Sequence, residues 1–93
     1  MRILGRDIIE KFKKRHPQSR HPLDDWTVLI EKIDCANFPE LMRIFNSVDY
    51  VKPDTIFDIS GNKYRLISQV DYRLQAVAVK KVMTHEEYDR WSH

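Results

Sequence analysis

The stretch "TIFDISGNKYRLISQV" (55–70) constrains what this chain can fold into more than any other. Apolar residues alternate on both sides of Gly61-Asn62, and such a pair between alternating runs is a strong signal for a two-residue β-hairpin. With that loop, Ser60 pairs with Lys63, Ile59 faces Tyr64, Asp58 faces Arg65 and Phe57 faces Leu66. Phe57, Ile59, Tyr64 and Leu66 then share an apolar face that belongs against a layer of helices. Asp58, Lys63, Arg65, Ile56 and Ile67 share the opposite face, whose mixed character suits a groove or a partner surface. A third run, "LQAVAVKKV" (74–82), reached through "DYR" or "DYRL", extends the pair into an antiparallel meander.

Before Pro53 the apolar period is helical. Ile8, Ile9 and Phe12 form one stripe between Asp7 and about His16, with Lys11, Lys13, Lys14 and Arg15 on much of the remaining surface. "MRIL" is either a short strand or the lead-in to that helix. "HPQSRHP" interrupts, because each proline biases its predecessor away from helix. Asp24 and Asp25 suit the start of a second helix carrying Trp26, Leu29, Ile30 and Ile33 into the core. "NFPELMRIF" predicts a short helix entered through Asn37 or Phe38, and "NSVDYVKPD" reads as loop. At the far end "THEE" matches a capping box, with Thr84 as cap and Glu87 reaching back. The expected class is α+β: two N-terminal helices on one face of an antiparallel sheet and a short terminal helix at the other.

Bulk properties narrow the setting. A chain of 93 residues is expected to form one domain (1–93) with one modest core, and 42% hydrophobic residues exclude a disordered chain. Cys35 is alone, so no intramolecular disulfide can form. "MRILGRDIIEKFKKRH" has no long apolar run, which argues against a signal peptide or membrane span and for the cytoplasm. The net charge of +2 is small but unevenly spread. Residues 1–21 hold seven Lys/Arg against two acids, residues 22–58 three against eight, and residues 59–93 six against four. That pattern can fold into one positive face or merely into a solvated helix surface.

The residue inventory excludes several chemistries. His16, His21, His85 and His93 lie at no spacing that makes a metal site beside one cysteine, and no glycine-rich phosphate loop or nucleophile elbow is present. No cofactor is implied. What remains is Arg65, a lysine, His85 and Tyr88, a set suited to cutting RNA through its own 2′-hydroxyl. That reaction needs a base for the 2′-proton, a cation for the phosphate and an acid for the leaving 5′-oxygen. Histidine, with an ordinary pKa of about 6.5, serves as either base or acid. Arginine offers fixed donors to phosphate oxygens, and tyrosine can stack on a base or join the proton transfer. Each residue also has a structural reading. Arg65 can bridge to Asp58, Met83 and Tyr88 can form a hydrophobic staple, Trp91 can cover the core, and His85 can be solvated. Depending on the loop before the third strand, either Lys81 or Lys80 shares the face of Arg65.

Four stretches carry a resemblance: "IFDISGNKYRLISQV" (56–70), "VKKVMTHEEYDRW" (79–91), "FNSVDYV" (45–51) and "WTVLIEKIDCANFPEL" (26–41). Together they resemble the HigB toxins of bacterial type II toxin–antitoxin systems, above all in "GNKYRL" and "THxEYD" with one strand between. The resemblance implies a RelE-like fold, ribosome-dependent cleavage of mRNA, and neutralisation by a helix-turn-helix HigA antitoxin. It implies that Arg65 stabilises phosphate, that His85 is a basic catalytic residue, and that Tyr88 is the tyrosine of the terminal helix. RelE proper carries lysines on the strand before the hairpin. Here that strand is "TIFDIS", which moves attention to His85 and leaves Lys63, Lys80 and Lys81 as available cations. Lys13, Lys14 and Arg15 are expected to dock on ribosomal RNA. The same scaffold also admits a ParE-like toxin that inhibits DNA gyrase by protein binding.

Overall fold

The computed structural model describes residues 1–91, so His93 lies outside the described residues. The elements run β1 (Arg2–Leu4), α1 (Arg6–Arg15), a 3-10 turn (Pro17–Ser19), α2 (Arg20–Lys32), α3 (Phe38–Ile44), β2 (Val48–Val51), β3 (Asp54–Ile59), β4 (Tyr64–Asp71), β5 (Ala76–Thr84) and α4 (His85–Trp91). The class is α+β. One five-stranded sheet has the order β1-β5-β4-β3-β2. The expectation of a wholly antiparallel sheet is corrected here, because β1 pairs parallel with β5. That pairing settles "MRIL" as a strand. Gly5 then turns the chain into α1 at φ +86°, where an added Cβ would stand 2.7 Å from the carbonyl oxygen of Val79. Only glycine accepts both the left-handed backbone and that approach.

The hairpin pairs fall where the alternation places them: Ile59 with Tyr64, Asp58 with Arg65, Phe57 with Leu66. The loop differs in detail, since Ser60 and Gly61 hold positive φ. Phe57, Ile59, Tyr64 and Leu66 share the main core with Ile9 and Phe12 of α1 and Leu23, Trp26 and Ile30 of α2. The rings of Trp26 and Phe45 stand edge-on to Phe57 at 5.3 and 5.0 Å. On the mixed face Ile56, Ile67 and Met83 form a second, smaller cluster against which Tyr88 packs.

Four expectations change. Helix α2 begins at Arg20, not at the aspartates. Pro22 lies in its first turn, where a helix needs no N–H bond from that residue. Leu29, expected in the core, is exposed. "VDYV" is an edge strand with only Val48 buried, so its outward Asp49, Tyr50 and Val51 gave it the look of a loop. The connection before β5 is residues 72–75, closed by the Leu74 N–H on Asp71 Oδ1 at 3.0 Å, which leaves Leu74 outside the strand.

Candidate functional site

The site is built where β4, β5 and α4 meet. At the β4–β5 pairing Arg65 lies opposite Met83 and Ile67 opposite Lys81, while Ser68 pairs with Val79 and leaves Lys80 unpartnered in a bulge. The bulge resolves the choice between the two lysines: Lys81 shares the face of Arg65 and Met83. It also restores the core register, so that Val79 and Val82 both face inward.

Helix α4 is held to the strand end by reciprocal capping. The Thr84 N–H donates to Glu87 Oε1 at 2.9 Å and the Glu87 N–H donates to Thr84 Oγ1 at 3.2 Å. The backbone bond from Thr84 holds the Glu87 carboxyl below the usual carboxylate range, with Arg15 and His16 adding to the effect. The first helical N–H, that of His85, donates to the Lys63 carbonyl at 2.9 Å, tying the helix start to the hairpin. Met83 and Tyr88 close the staple on the small cluster. Trp91 does not take the core-covering position that the sequence left open to it. It is 44% exposed, and its ring stands 6.0 Å from that of Tyr88.

These constraints assemble a line of four polar side chains. Arg65 Nε donates to Asp58 Oδ1 at 3.0 Å, with both side chains largely buried. Arg65 Nη2 lies 3.3 Å from His85 Nδ1. His85 Nε2 lies 3.2 Å from Asp89 Oδ2, four residues along the helix. The Arg65 guanidinium carbon stands 5.4 Å from the centre of the Tyr88 ring. The ion pair with Asp58 is therefore present, and it anchors one edge of the fork while another faces the histidine. Asp58 is pushed above the usual carboxylate range by burial, opposed by Arg65.

The remaining candidates are spread more widely. Lys63 lines an open hollow of about 520 Å³ together with His85. Lys81 is exposed, with its ammonium 5.9 Å from the Trp91 ring centre. Lys14 and Arg15 are exposed in the last turn of α1. Lys13 is different: its ammonium is paired with Asp24 at 2.7 Å and Glu10 at 2.8 Å. Those hydrogen bonds, Asp24 first, raise its pKa, so this lysine is engaged within the fold.

Residues 19–91 match the family model of the HigB toxins, the RelE-like toxic component of a toxin–antitoxin system. The chain belongs to the HigB toxin family. Among individual HigB proteins it is similar to the mRNA interferase toxin HigB of Escherichia coli K12, 26% identical over 92 residues that span 96% of this chain and 88% of that one. The mRNA interferase HigB of E. coli O157:H7 stands at the same identity and coverage. That of E. coli O6:H1 strain CFT073 is 24% identical over 93 residues, 97% of this chain and 90% of its own. All the residues in the Asp58–Arg65–His85–Asp89 line fall inside the stretch the HigB model matches. Asp89 was missed in the sequence reading, although its four-residue spacing from His85 on a helix was signal enough. Among the described residues no helix is long and apolar enough to cross a membrane.

Proposed function

We propose that this toxin is an endoribonuclease that cuts mRNA on the ribosome through the RNA 2′-hydroxyl, in the cytoplasm, and is neutralised by a HigA-type helix-turn-helix antitoxin. The observation that carries the reading is the contact between Arg65 Nη2 and His85 Nδ1, with the Tyr88 ring beside the guanidinium. A phosphate-binding cation and a proton-transferring ring are thus side by side on one rigid frame, as a metal-independent phosphodiester cleavage requires.

The sequence of events follows from the donors and acceptors. A scissile phosphate takes the outward N–H groups of Arg65, while Asp58 keeps the guanidinium oriented through Nε. Losing Arg65 as its donor, His85 Nδ1 is free to accept the proton of the 2′-hydroxyl. The attacking oxygen forms its bond to phosphorus as the bond to the 5′-oxygen breaks, leaving a 2′,3′-cyclic phosphate. The leaving oxygen takes a proton from an acid in the site, a role open to protonated His85 or to the Tyr88 phenol. Arg65 neutralises charge that builds on the phosphate between these two steps. That E. coli relatives carry the name mRNA interferase supports the substrate class.

The direct test maps mRNA on translating ribosomes by toe-printing, comparing the parent protein with His85→Ala. Codon-register cleavage by the parent and none by the variant is expected. Cleavage by His85→Ala at the parent's rate would remove His85 from the chemistry. Intact mRNA with inhibited DNA supercoiling would replace the reading with the gyrase-directed one.

A further inference from the structure

Strand β1 pairs with β5 only from Ala76 to Ala78. Beyond that point α1 and α4 flank β5 and leave an open groove of about 460 Å³. This volume lies within the range of about 300–1,000 Å³ typical of small-ligand sites. Its apolar lining comes from Ile8, Val82 and Met83, and its charged lining from Lys11, Arg15, Lys81 and Arg90. Among the described residues none of these four cations is in an ion pair. The groove's one carboxylate, Glu87, gives one oxygen to the Thr84 N–H and feels Arg15 only at longer range, without an ion pair between them. At one end stands Trp91, exposed, with the Lys81 ammonium near its ring face and Tyr88 at its side among the described residues.

An apolar floor, a rim of unpaired cations and an exposed indole complement a planar base attached to a phosphodiester. We infer that this groove binds a nucleotide flanking the cut site, its base stacked on Trp91 and its phosphate held by Lys11, Arg15 and Arg90. The inference rests on the proposed RNA-cleaving function and adds a second subsite to it. Continuity with the first is direct. Met83 lines the groove and is the register partner of Arg65, and the Tyr88 ring lies 5.4 Å from the Arg65 guanidinium and 6.0 Å from Trp91. The contact of Lys81 with the indole is weak at an exposed site, so a base can take the ring face and Lys81 can turn to the phosphate. An acidic protein segment would satisfy the cations but would gain little from the flat, outward indole, so RNA is the better match.

The test is binding of a fluorescein-labelled RNA hexamer, made uncleavable by 2′-O-methyl riboses, to the free protein at low salt, followed by anisotropy. Trp91→Ala is expected to weaken binding about tenfold or more, and Trp91→Phe, which keeps a stacking face, to weaken it far less. The double variant Lys11→Ala/Arg15→Ala should flatten the plot of log affinity against log salt by up to about 0.7, for the one single-strand phosphate these residues help to hold. Quenching of tryptophan emission by RNA should vanish in Trp91→Phe, because Trp26 is buried. No binding by the parent, or binding that these variants leave unchanged, overturns the subsite. So does unchanged RNA binding combined with lost inhibition by the antitoxin, which would make the groove a protein interface. Ribosomal cleavage by the parent is scored separately. If the parent cuts mRNA while the groove variants bind RNA normally, the subsite falls and the nuclease reading stands. If RNA binding depends on Trp91 yet the parent cuts nothing, the nuclease reading falls and the subsite stands.

Discussion

Arg65 Nη2 and His85 Nδ1 stand 3.3 Å apart, and the chemistry of the pair fixes the histidine tautomer. A guanidinium has only donors, so Nδ1 must accept and the ring proton sits on Nε2, facing Asp89. In the proposed mechanism the arginine thereby does two jobs, one as a cation toward phosphate and one as the donor that makes Nδ1 the accepting nitrogen. Arg65→Lys tests whether the fork matters beyond the charge. A lysine cannot hold Asp58 and His85 at once, so mRNA cleavage on ribosomes is expected to fall about 10²-fold or more with the far-ultraviolet spectrum unchanged. Cleavage within a few-fold of the parent would reduce Arg65 to a point charge.

Asp58 gives a prediction of opposite sign for stability and activity. Its folded-state pKa is raised, chiefly by burial, so the fold favours the protonated acid. The stability that goes with protonation is fully present below the unfolded value of about 3.9 and is lost as pH rises through the folded pKa. Asp58→Asn resembles the protonated acid in shape. It should therefore be more stable than the parent at pH 7, with the gap closing as pH falls through the carboxylate range. Cleavage should drop all the same, since Arg65 keeps an amide acceptor but loses the charge-assisted bond that orients it. Urea melts of both proteins at pH 7 and pH 3.5 check the first half, and ribosome assays the second.

What the residues disclosed in advance, and what they did not, follows from where the information resides. Period-two alternation with Gly61-Asn62 set the β3–β4 register, and the box "THEE" set the start of α4, because both are local. The bulge at Lys80 depends on how two strands agree over several residues. It was visible only as a choice between two lysines. Pairing of β1 beside β5 joins residues more than seventy positions apart, and nothing local in "MRIL" specifies a parallel partner. Proline misplaced the start of α2 because its cost vanishes in a helix's first turn. Arg65, His85 and Tyr88 were legible as residue types at a spacing, whereas the contact of Arg65 with His85 and the open groove beside Trp91 required the packed helix.

Phe57 is the point at which the site depends on the core. It is 1% exposed, takes Trp26 and Phe45 edge-on, and immediately precedes Asp58 in β3. Phe57→Ala removes those contacts and leaves a cavity, at a cost of about 3–5 kcal/mol. Domains of this kind have only about 5–15 kcal/mol in total, so the loss should appear as a much lower urea midpoint. Activity should fall through unfolding. A variant with the parent's midpoint would mean that the ring is not part of a tightly packed core.

Glu87 sets the acid limit of the terminal helix. Its folded-state pKa is lowered by the bond from the Thr84 N–H, so its stabilising contribution is present above the unfolded value of about 4.3. That contribution is lost as pH falls through the lower folded value. Acidification should therefore loosen α4 and carry His85 out of reach of Arg65 before the main core unfolds. Thr84→Ala removes one arm of the box and should cost about 1 kcal/mol at pH 7. Glu87→Gln keeps an acceptor for the Thr84 N–H but has no proton to gain. Its stability should be lower than the parent's at pH 7 and no longer fall with acid on account of this residue. Amide hydrogen exchange of residues 85–91 between pH 7 and pH 4 reads the difference directly. Equal acid sensitivity of helix opening in the parent and Glu87→Gln would show that another group controls how α4 is held.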